Sequence, residues 1–136
     1  MQSYTHSTKV GRWTVTDASV VPARMHDGTP ILSAEQLGKL ELRAAITVLL
    51  EVELVTGAEF KFARKAMGLK QTDIADHLGV NAETVSRWEN GADQFKRPVQ
   101  LAVLHMLEEF QRTGAIARPV KSPRASDRTL VAVGSG

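Results

Sequence analysis

The amino-acid sequence predicts a mainly α-helical protein with a small N-terminal β element. Two observations lead to this prediction. Apolar residues recur at helical spacing through most of residues 33–110, whereas residues 1–32 are poor in helix-forming residues. The chain has 136 residues, of which 43% are hydrophobic, and this suffices for one or two small domains with a buried core. It contains no cysteine, so disulfides and thiolate metal sites are excluded.

Residues 1–32 are expected to contain strands and a turn. Residues 12–16 (RWTVT) alternate as a strand does, and residues 19–24 are a second, weaker candidate. Residues 27–30 (DGTP) have the composition of a turn. The N-terminal sequence shows no secretory signal, and the apolar run at 44–50 is far shorter than a membrane span. We therefore expect a cytoplasmic protein.

Ser33 and Gln36 form a capping-box pattern, which predicts a helix that begins there and continues toward residue 55. Positions 46, 48, 50, 52 and 54 are apolar and also alternate with period two, so a strand is the alternative for residues 46–55. The apolar run at 44–50 has more hydrophobic surface than a two-stranded sheet can cover. We interpret this helix as a dimer interface; the alternative is a core helix within one chain.

Three further helices and a tight turn are predicted between residues 56 and 91, followed by a final helix. Thr56 and Glu59 form a second capping box, at the start of a helix that contains FKFARKAMGL. Arg97 and Pro98 open the final helix, which runs through Phe110. The segment 71–91, QTDIADHLGVNAETVSRWENG, lies between them.

Residues 71–91 have the pattern of two short helices that cross at a tight angle. Gly79 follows the first helix where a left-handed C-cap is needed. Asn81 is a suitable N-cap for the second helix, which buries Val85 and Trp88 and turns its polar residues outward. Ala75 is small where the helices must cross closely. This predicts a helix-turn-helix that enters the DNA major groove; the alternative is an ordinary helical hairpin.

Residues 57–110 resemble the lambda-repressor/Cro-like (Xre) DNA-binding family, and the run TVSRWENG at 84–91 carries the most specific part of that resemblance. The resemblance implies a five-helix Xre-like helix-turn-helix fold, with the DNA-binding domain at residues 56–112. It is preceded by a small α+β dimerisation or partner-binding domain at residues 1–55. The arrangement also looks like the C-terminal half of MqsA-type antitoxins, whose N-terminal domain binds zinc through two Cys-x-x-Cys pairs. Because this chain has only His6 and His26 there, without ligand spacing, we expect no metal and no cofactor.

The resemblance puts Ala82, Glu83, Ser86 and Arg87 on the groove face of the second helix. Arg87 is expected to bind guanine and Glu83 to accept from cytosine, while Ala82 can only pack against a thymine methyl. The alternative is that Glu83 pairs with Arg87 at i, i+4 and holds it without touching a base. Phosphate contacts are predicted for six residues: Gln71, Thr72, Thr84, Asn90, Lys96 and Arg97.

Charge distribution supports this prediction more than charge balance does. Residues 57–112 contain eight basic and eight acidic residues and are neutral overall. Six of the basic residues flank the second helix in sequence and predict a basic rim for phosphate contact. They are Lys61, Arg64, Lys65, Lys70, Lys96 and Arg97. Residues 113–136 are basic, rich in Pro and Ser, and expected to be disordered.

Neither His77 nor His105 has a Ser, Asp or Cys at a spacing that suits nucleophilic chemistry. The sequence also contains no phosphate-binding glycine loop and no paired-carboxylate signature, so we do not expect an enzyme. The favoured function is a sequence-specific transcriptional repressor, homodimeric on a palindromic operator in double-stranded DNA, of the autoregulatory antitoxin type. One alternative is a toxin-neutralising antitoxin that binds its toxin protein through residues 1–55 and binds DNA secondarily. Another is a stand-alone autorepressor of a phage or mobile-element operon, of the anti-CRISPR-associated type.

Overall fold

The computed structural model of the protein describes residues 2–115, which form a small β element followed by five helices. This confirms the predicted fold class, mainly α with β structure at the N-terminus. The elements in chain order are β1 Tyr4–Val10, β2 Trp13–Val20, β3 Arg24–His26, β4 Thr29–Ile31, α1 Ala34–Glu51, α2 Gly57–Ala66, α3 Gln71–Leu78, α4 Ala82–Glu89 and α5 Arg97–Thr113. From residue 116 onward, the predicted disordered tail lies outside the described residues.

The first hairpin pairs β1 with β2 in antiparallel register, with Lys9 opposite Thr14 and Val10 opposite Trp13. The predicted strand at 12–16 falls mostly within β2, whereas β1 was not predicted. Most of β1 is polar, and only Thr8 and Val10 near its end are buried, so it lacks the apolar alternation of a half-buried strand.

The strand predicted at residues 19–24 is wrong. β2 ends at Val20 and β3 begins at Arg24, because Ser19 has a φ of 60° and Pro22, which has no N–H to donate, interrupts the segment between them. The turn predicted at 27–30 is confined to Asp27 and Gly28, whose φ values are 48° and 77°. Positive φ at both central residues is typical of the type I′ turn of a two-residue hairpin, here joining β3 to β4.

Helix α1 begins with the predicted capping box. The Ser33 hydroxyl accepts from the Gln36 N–H at 3.1 Å, and the Gln36 side chain in turn accepts from the Ser33 N–H at 2.9 Å. Residues 46–51 are helical, so the strand alternative for 46–55 is wrong. The buried residues Ala45, Val48 and Leu49 recur at helical spacing, and this one-sided burial favours the helix over a period-two strand.

Helix α1 packs against its own chain on several sides, contacting α2, α5, β1 and β2. Ala44, Ala45, Val48 and Leu49 are buried there, and only Leu50 of the run 44–50 is exposed. Most of this run is therefore covered within one chain, as the core-helix alternative predicts. The sequence missed the cover because it consists of α2 and α5, which lie later in the chain.

Gln100 of α5 joins that helix to the end of α1. Its buried side chain accepts from the Val55 N–H at 2.9 Å and donates to the carbonyls of Leu49 at 3.0 Å and Val52 at 2.7 Å. The last carbonyls of a helix have no partner within the helix, and the Gln100 amide is the donor to two carbonyls at the end of α1.

No helix within residues 2–115 is long and apolar enough to cross a membrane.

Candidate nucleic-acid interface

The turn between α3 and α4 has the local geometry that the sequence predicts. Gly79 ends α3 with φ 71° and ψ 29°, a left-handed conformation that Gly adopts at little steric cost. Asn81 precedes α4, and its side-chain oxygen accepts from the Thr84 N–H at 2.8 Å. Between these caps, the Val80 N–H donates to the Ala75 carbonyl at 3.0 Å. The two helices are thus joined by a short turn that is held by hydrogen bonds.

The inner face of α4 packs against an aromatic cluster. Trp88 meets Phe60 of α2 and Phe95 edge to face, with ring centroids 5.8 Å and 5.4 Å apart. Val85, one turn earlier, is fully buried. A Cβ atom at Gly57 would lie 1.9 Å from the Trp88 carbonyl oxygen, so the start of α2 touches the end of α4 directly. This packing fixes which face of α4 turns outward.

A buried ion pair joins α2 to the end of α4. Arg64 Nε and Nη2 donate to the two carboxylate oxygens of Glu89 at 2.6 Å and 2.9 Å, and Arg64 Nη1 donates to the Leu69 carbonyl at 2.9 Å. The two side chains are only 9% and 2% exposed. Arg64 therefore does not belong to the predicted basic rim. Sequence position alone could not distinguish this structural arginine from its exposed neighbours Lys61 and Lys65.

The same carboxylate positions the first residue of α3. Gln71 Nε2 donates to Glu89 Oε1 at 3.1 Å, so the Gln71 amide is held beside the end of α4. Thr72, the second residue of α3, is exposed. Both residues lie in the first turn of α3, where backbone N–H groups lack partners within the helix and attract anions. This position suits the phosphate contacts predicted for Gln71 and Thr72.

The outer face of α4 carries the predicted base-reading residues. Glu83 and Arg87 are exposed, one helical turn apart, and Ala82 and Ser86 are partly exposed. Two polar side chains of the predicted set also bond locally. The Thr84 hydroxyl donates to Asn81 Oδ1 at 2.8 Å, and Asn90, the residue that ends α4, approaches Ser86 Oγ at 3.4 Å.

Arg87 forms an ion pair with Asp93, in the segment between α4 and α5. Its Nε and Nη2 lie 2.8 Å and 3.3 Å from the two carboxylate oxygens. The hydrogen bond and the charge of Asp93 raise the pKa of Arg87, and the bond to Arg87 lowers the pKa of Asp93. The alternative prediction paired Arg87 with Glu83. Among the described residues, Arg87 forms its ion pair with Asp93 and makes no hydrogen bond with Glu83. Asp93 was missed because it lies six residues away, beyond helical spacing.

Lys96 and Arg97 lie where α5 begins, and both are exposed. Lys96 is the N-cap residue of α5. Arg97 Nη1 donates to the carbonyls of Val52 and Glu53, just after α1, so Arg97 holds the end of α1 as well as starting α5. The phosphate contact predicted for Arg97 would have to use its remaining N–H groups.

Residues 60–109 match the family model described as helix-turn-helix. They form a helix-turn-helix domain. The match indicates a DNA-binding transcription regulator, and it runs from within α2 to the last turns of α5. No match was found to a curated protein or to a solved structure. In the helix-turn-helix domain, α4 is the second helix of the motif, which is the helix that lies in the major groove in such proteins.

Proposed function

We propose that the protein is a sequence-specific transcriptional repressor that binds a palindromic operator as a homodimer and regulates its own promoter. The observation that carries this proposal is the outer face of α4. Arg87 and Glu83 are exposed there, one turn apart, while Trp88, Val85 and Glu89 hold the other face of the helix in the core. A rigid helix with a free polar face is what direct readout of base edges requires.

The chemistry of this face suits a guanine–cytosine step. The Arg87 guanidinium can donate two parallel hydrogen bonds to O6 and N7 of a guanine, and the Glu83 carboxylate can accept from N4 of a cytosine. Ala82, at the start of α4, has only a methyl group and suits contact with a thymine methyl. These contacts supply sequence preference at two or three adjacent base pairs.

Phosphate binding would fix α4 in the groove. The start of α3, with Gln71 and Thr72, offers N–H groups and side-chain donors on one side of α4. Lys96 offers a cation at the start of α5, which follows α4 in the chain. Repression then requires only that the bound protein occupies promoter DNA.

A homodimer is proposed because one α4 contacts too few base pairs for useful specificity, and dimers read two half-sites about one helical turn apart. Three exposed leucines lie at one end of the α1–α5 pair: Leu50, Leu54 and Leu101 are 58%, 38% and 46% exposed. The bond from Arg97 to the Glu53 carbonyl brings α5 to the chain just after α1, and Leu101 lies one turn further along α5. We place the contact between the two copies at this leucine surface.

Selection of bound duplexes from a random DNA pool, followed by footprinting, tests the proposed function. The expected result is an inverted repeat whose half-sites lie about 10 base pairs apart, centre to centre. Sedimentation of the complex should show two protein copies per site, and Leu101→Asp should reduce this to one. Recovery of a pool without sequence enrichment would overturn the repressor proposal. Neutralisation of a toxin through residues 1–55 stays a prediction of the resemblance.

A further inference from the structure

We propose that Asp93 is a positioning residue for base recognition: its carboxylate holds the Arg87 guanidinium so that the remaining N–H groups are available to one guanine. This inference rests on the proposed function, in which Arg87 binds a base. It adds a residue outside α4 to the determinants of sequence preference. Asp93 itself touches no base in this arrangement.

The hydrogen-bond geometry leaves the base-binding edge of Arg87 free. A guanidinium carries five N–H groups, one on Nε and two on each terminal nitrogen. Asp93 accepts from Nε at 2.8 Å and from Nη2 at 3.3 Å, which occupies one edge of the planar group. Both N–H groups of Nη1 and one of Nη2 remain. Paired donation to guanine O6 and N7 needs one N–H from each terminal nitrogen, so the carboxylate and the guanine can bind at once.

The backbone fixes Asp93 relative to the helix that it serves. The Arg87 carbonyl accepts from the Ala92 N–H at 2.9 Å and from the Asp93 N–H at 3.3 Å. Gly91 has a φ of 77°, and this left-handed conformation lets the chain turn back toward α4. Arg87 and Asp93 therefore bind each other twice. The Arg87 carbonyl accepts from the Asp93 backbone, and the Asp93 carboxylate accepts from the Arg87 side chain. Asp93 moves with α4, as a positioning group must.

The pair is exposed, so it adds little to folding stability and remains accessible for binding. The Arg87 and Asp93 side chains are 52% and 45% exposed. In water such a pair is weak, but it restricts a long side chain that would otherwise lose its freedom on binding DNA. Close contact with a base also removes water from the pair, which strengthens it.

The negative charge of Asp93 allows a positioning role to be distinguished from simple repulsion of DNA. A carboxylate near DNA repels phosphates and lowers the affinity for every sequence equally. A positioning role instead predicts that Asp93 raises the affinity for one base pair, because the correctly held Arg87 favours guanine over the other bases. Removing the charge therefore separates the two roles: general affinity rises or stays constant, while preference for that guanine falls.

The test compares the wild-type protein with Asp93→Asn on three duplexes: the selected operator, the operator with the Arg87-dependent guanine replaced, and random DNA. Asp76→Asn, which removes an exposed acid on α3, is the matched control for charge. We expect Asp93→Asn to reduce the preference for guanine by about two- to fivefold, the range of an exposed ion pair. Affinity for random DNA should not fall. Asp76→Asn should leave the preference unchanged.

Two further measurements make the outcome decisive. In an Arg87→Ala background, Asp93→Asn should cause no additional loss of preference, because the residue to be positioned is gone. Without DNA, hydrogen exchange at Arg87 Nε–H should be slower in the wild-type protein than in Asp93→Asn. Equal exchange rates, or full guanine preference in Asp93→Asn, would overturn the inference. If the wild-type protein shows no sequence preference, or Arg87→Ala keeps it, the proposed function fails instead.

Discussion

Arg64 and Glu89 form a buried, two-bond ion pair that ties α2 to the last residue of α4. Glu89 accepts a third hydrogen bond from Gln71, so one carboxylate holds the end of the candidate recognition helix and the start of α3 together. The relative position of the two helices of the motif therefore depends on a carboxylate that is almost fully buried. We therefore expect substitution of this carboxylate to change both the stability of the fold and the proposed DNA binding.

Glu89→Ala is expected to lower the free energy of unfolding by about 3–5 kcal/mol, because it leaves the Arg64 charge buried without a partner. Urea denaturation measures the change. Glu108→Gln, at an exposed position on α5, is the control and should stay within about 0.5 kcal/mol of wild type. The double variant Arg64→Met/Glu89→Leu should recover most of the loss, since it removes both charges. A loss below about 1 kcal/mol for Glu89→Ala would contradict this account.

Two glycine-to-alanine substitutions should change stability in opposite directions. At Gly57 the new methyl would lie 1.9 Å from the Trp88 carbonyl oxygen, so backbone must move, and we expect a loss of about 1–3 kcal/mol. At Gly38, within α1, a Cβ meets nothing within 4 Å, and alanine should stabilise the helix by about 0.5–1 kcal/mol. Thermal melts of both variants give the comparison. Equal effects would show that the contact between α2 and α4 is not tight.

Gln100→Met removes the amide that joins α5 to the end of α1 while keeping a side chain of similar length. The Val55 N–H and the carbonyls of Leu49 and Val52 then lose their bonds to Gln100. The orphaned Val55 N–H alone should cost about 1–3 kcal/mol of unfolding free energy. Gln94→Met, at an exposed position, is the control and should be near neutral. Equal stability of the two variants would argue against a structural role for Gln100.

Arg87→Ala and Lys96→Ala should weaken DNA binding in different ways. Loss of Arg87 is expected to cost about 1–3 kcal/mol and to relax the preference at one guanine per half-site. Loss of Lys96 should lower the affinity for all DNA sequences alike. It should also reduce the slope of log affinity against log salt concentration by about one. Binding titrations at several salt concentrations measure both effects. If Arg87→Ala lowers affinity for operator and random DNA equally, the base-reading role is wrong.

The pKa of Asp93 should rise toward its ordinary value of 3.8 in Arg87→Ala, because the hydrogen bond that lowers it is removed. A carboxyl whose pKa is lowered in the folded state contributes stability above pH 3.8 and loses it as the pH falls through the lower, folded value. Side-chain carbon chemical shifts followed during an acid titration measure the pKa. Glu83→Gln should leave it nearly unchanged. An identical pKa in wild type and Arg87→Ala would exclude the ion pair in solution.

The amino-acid sequence was sufficient to predict the features that depend on neighbouring residues. Ser33 with Gln36, Gly79, and Asn81 were each predicted as caps, and each has that geometry. Capping depends on residues within one turn of each other, so the sequence contains all the required information. The helical spacing of Val85 and Trp88 likewise determined which face of α4 is buried.

Contacts between groups that are far apart in the chain could be identified only from the folded structure. The partner of Arg87 is Asp93 and not Glu83, Arg64 is buried with Glu89, and the apolar face of α1 is covered by α2 and α5. The sequence shows that a charge or an apolar face needs a partner, but several candidates satisfy that need equally well. The partner is selected by the way the chain folds back. This occurs locally, as at Gly91, and through the packing of helices that are far apart in sequence.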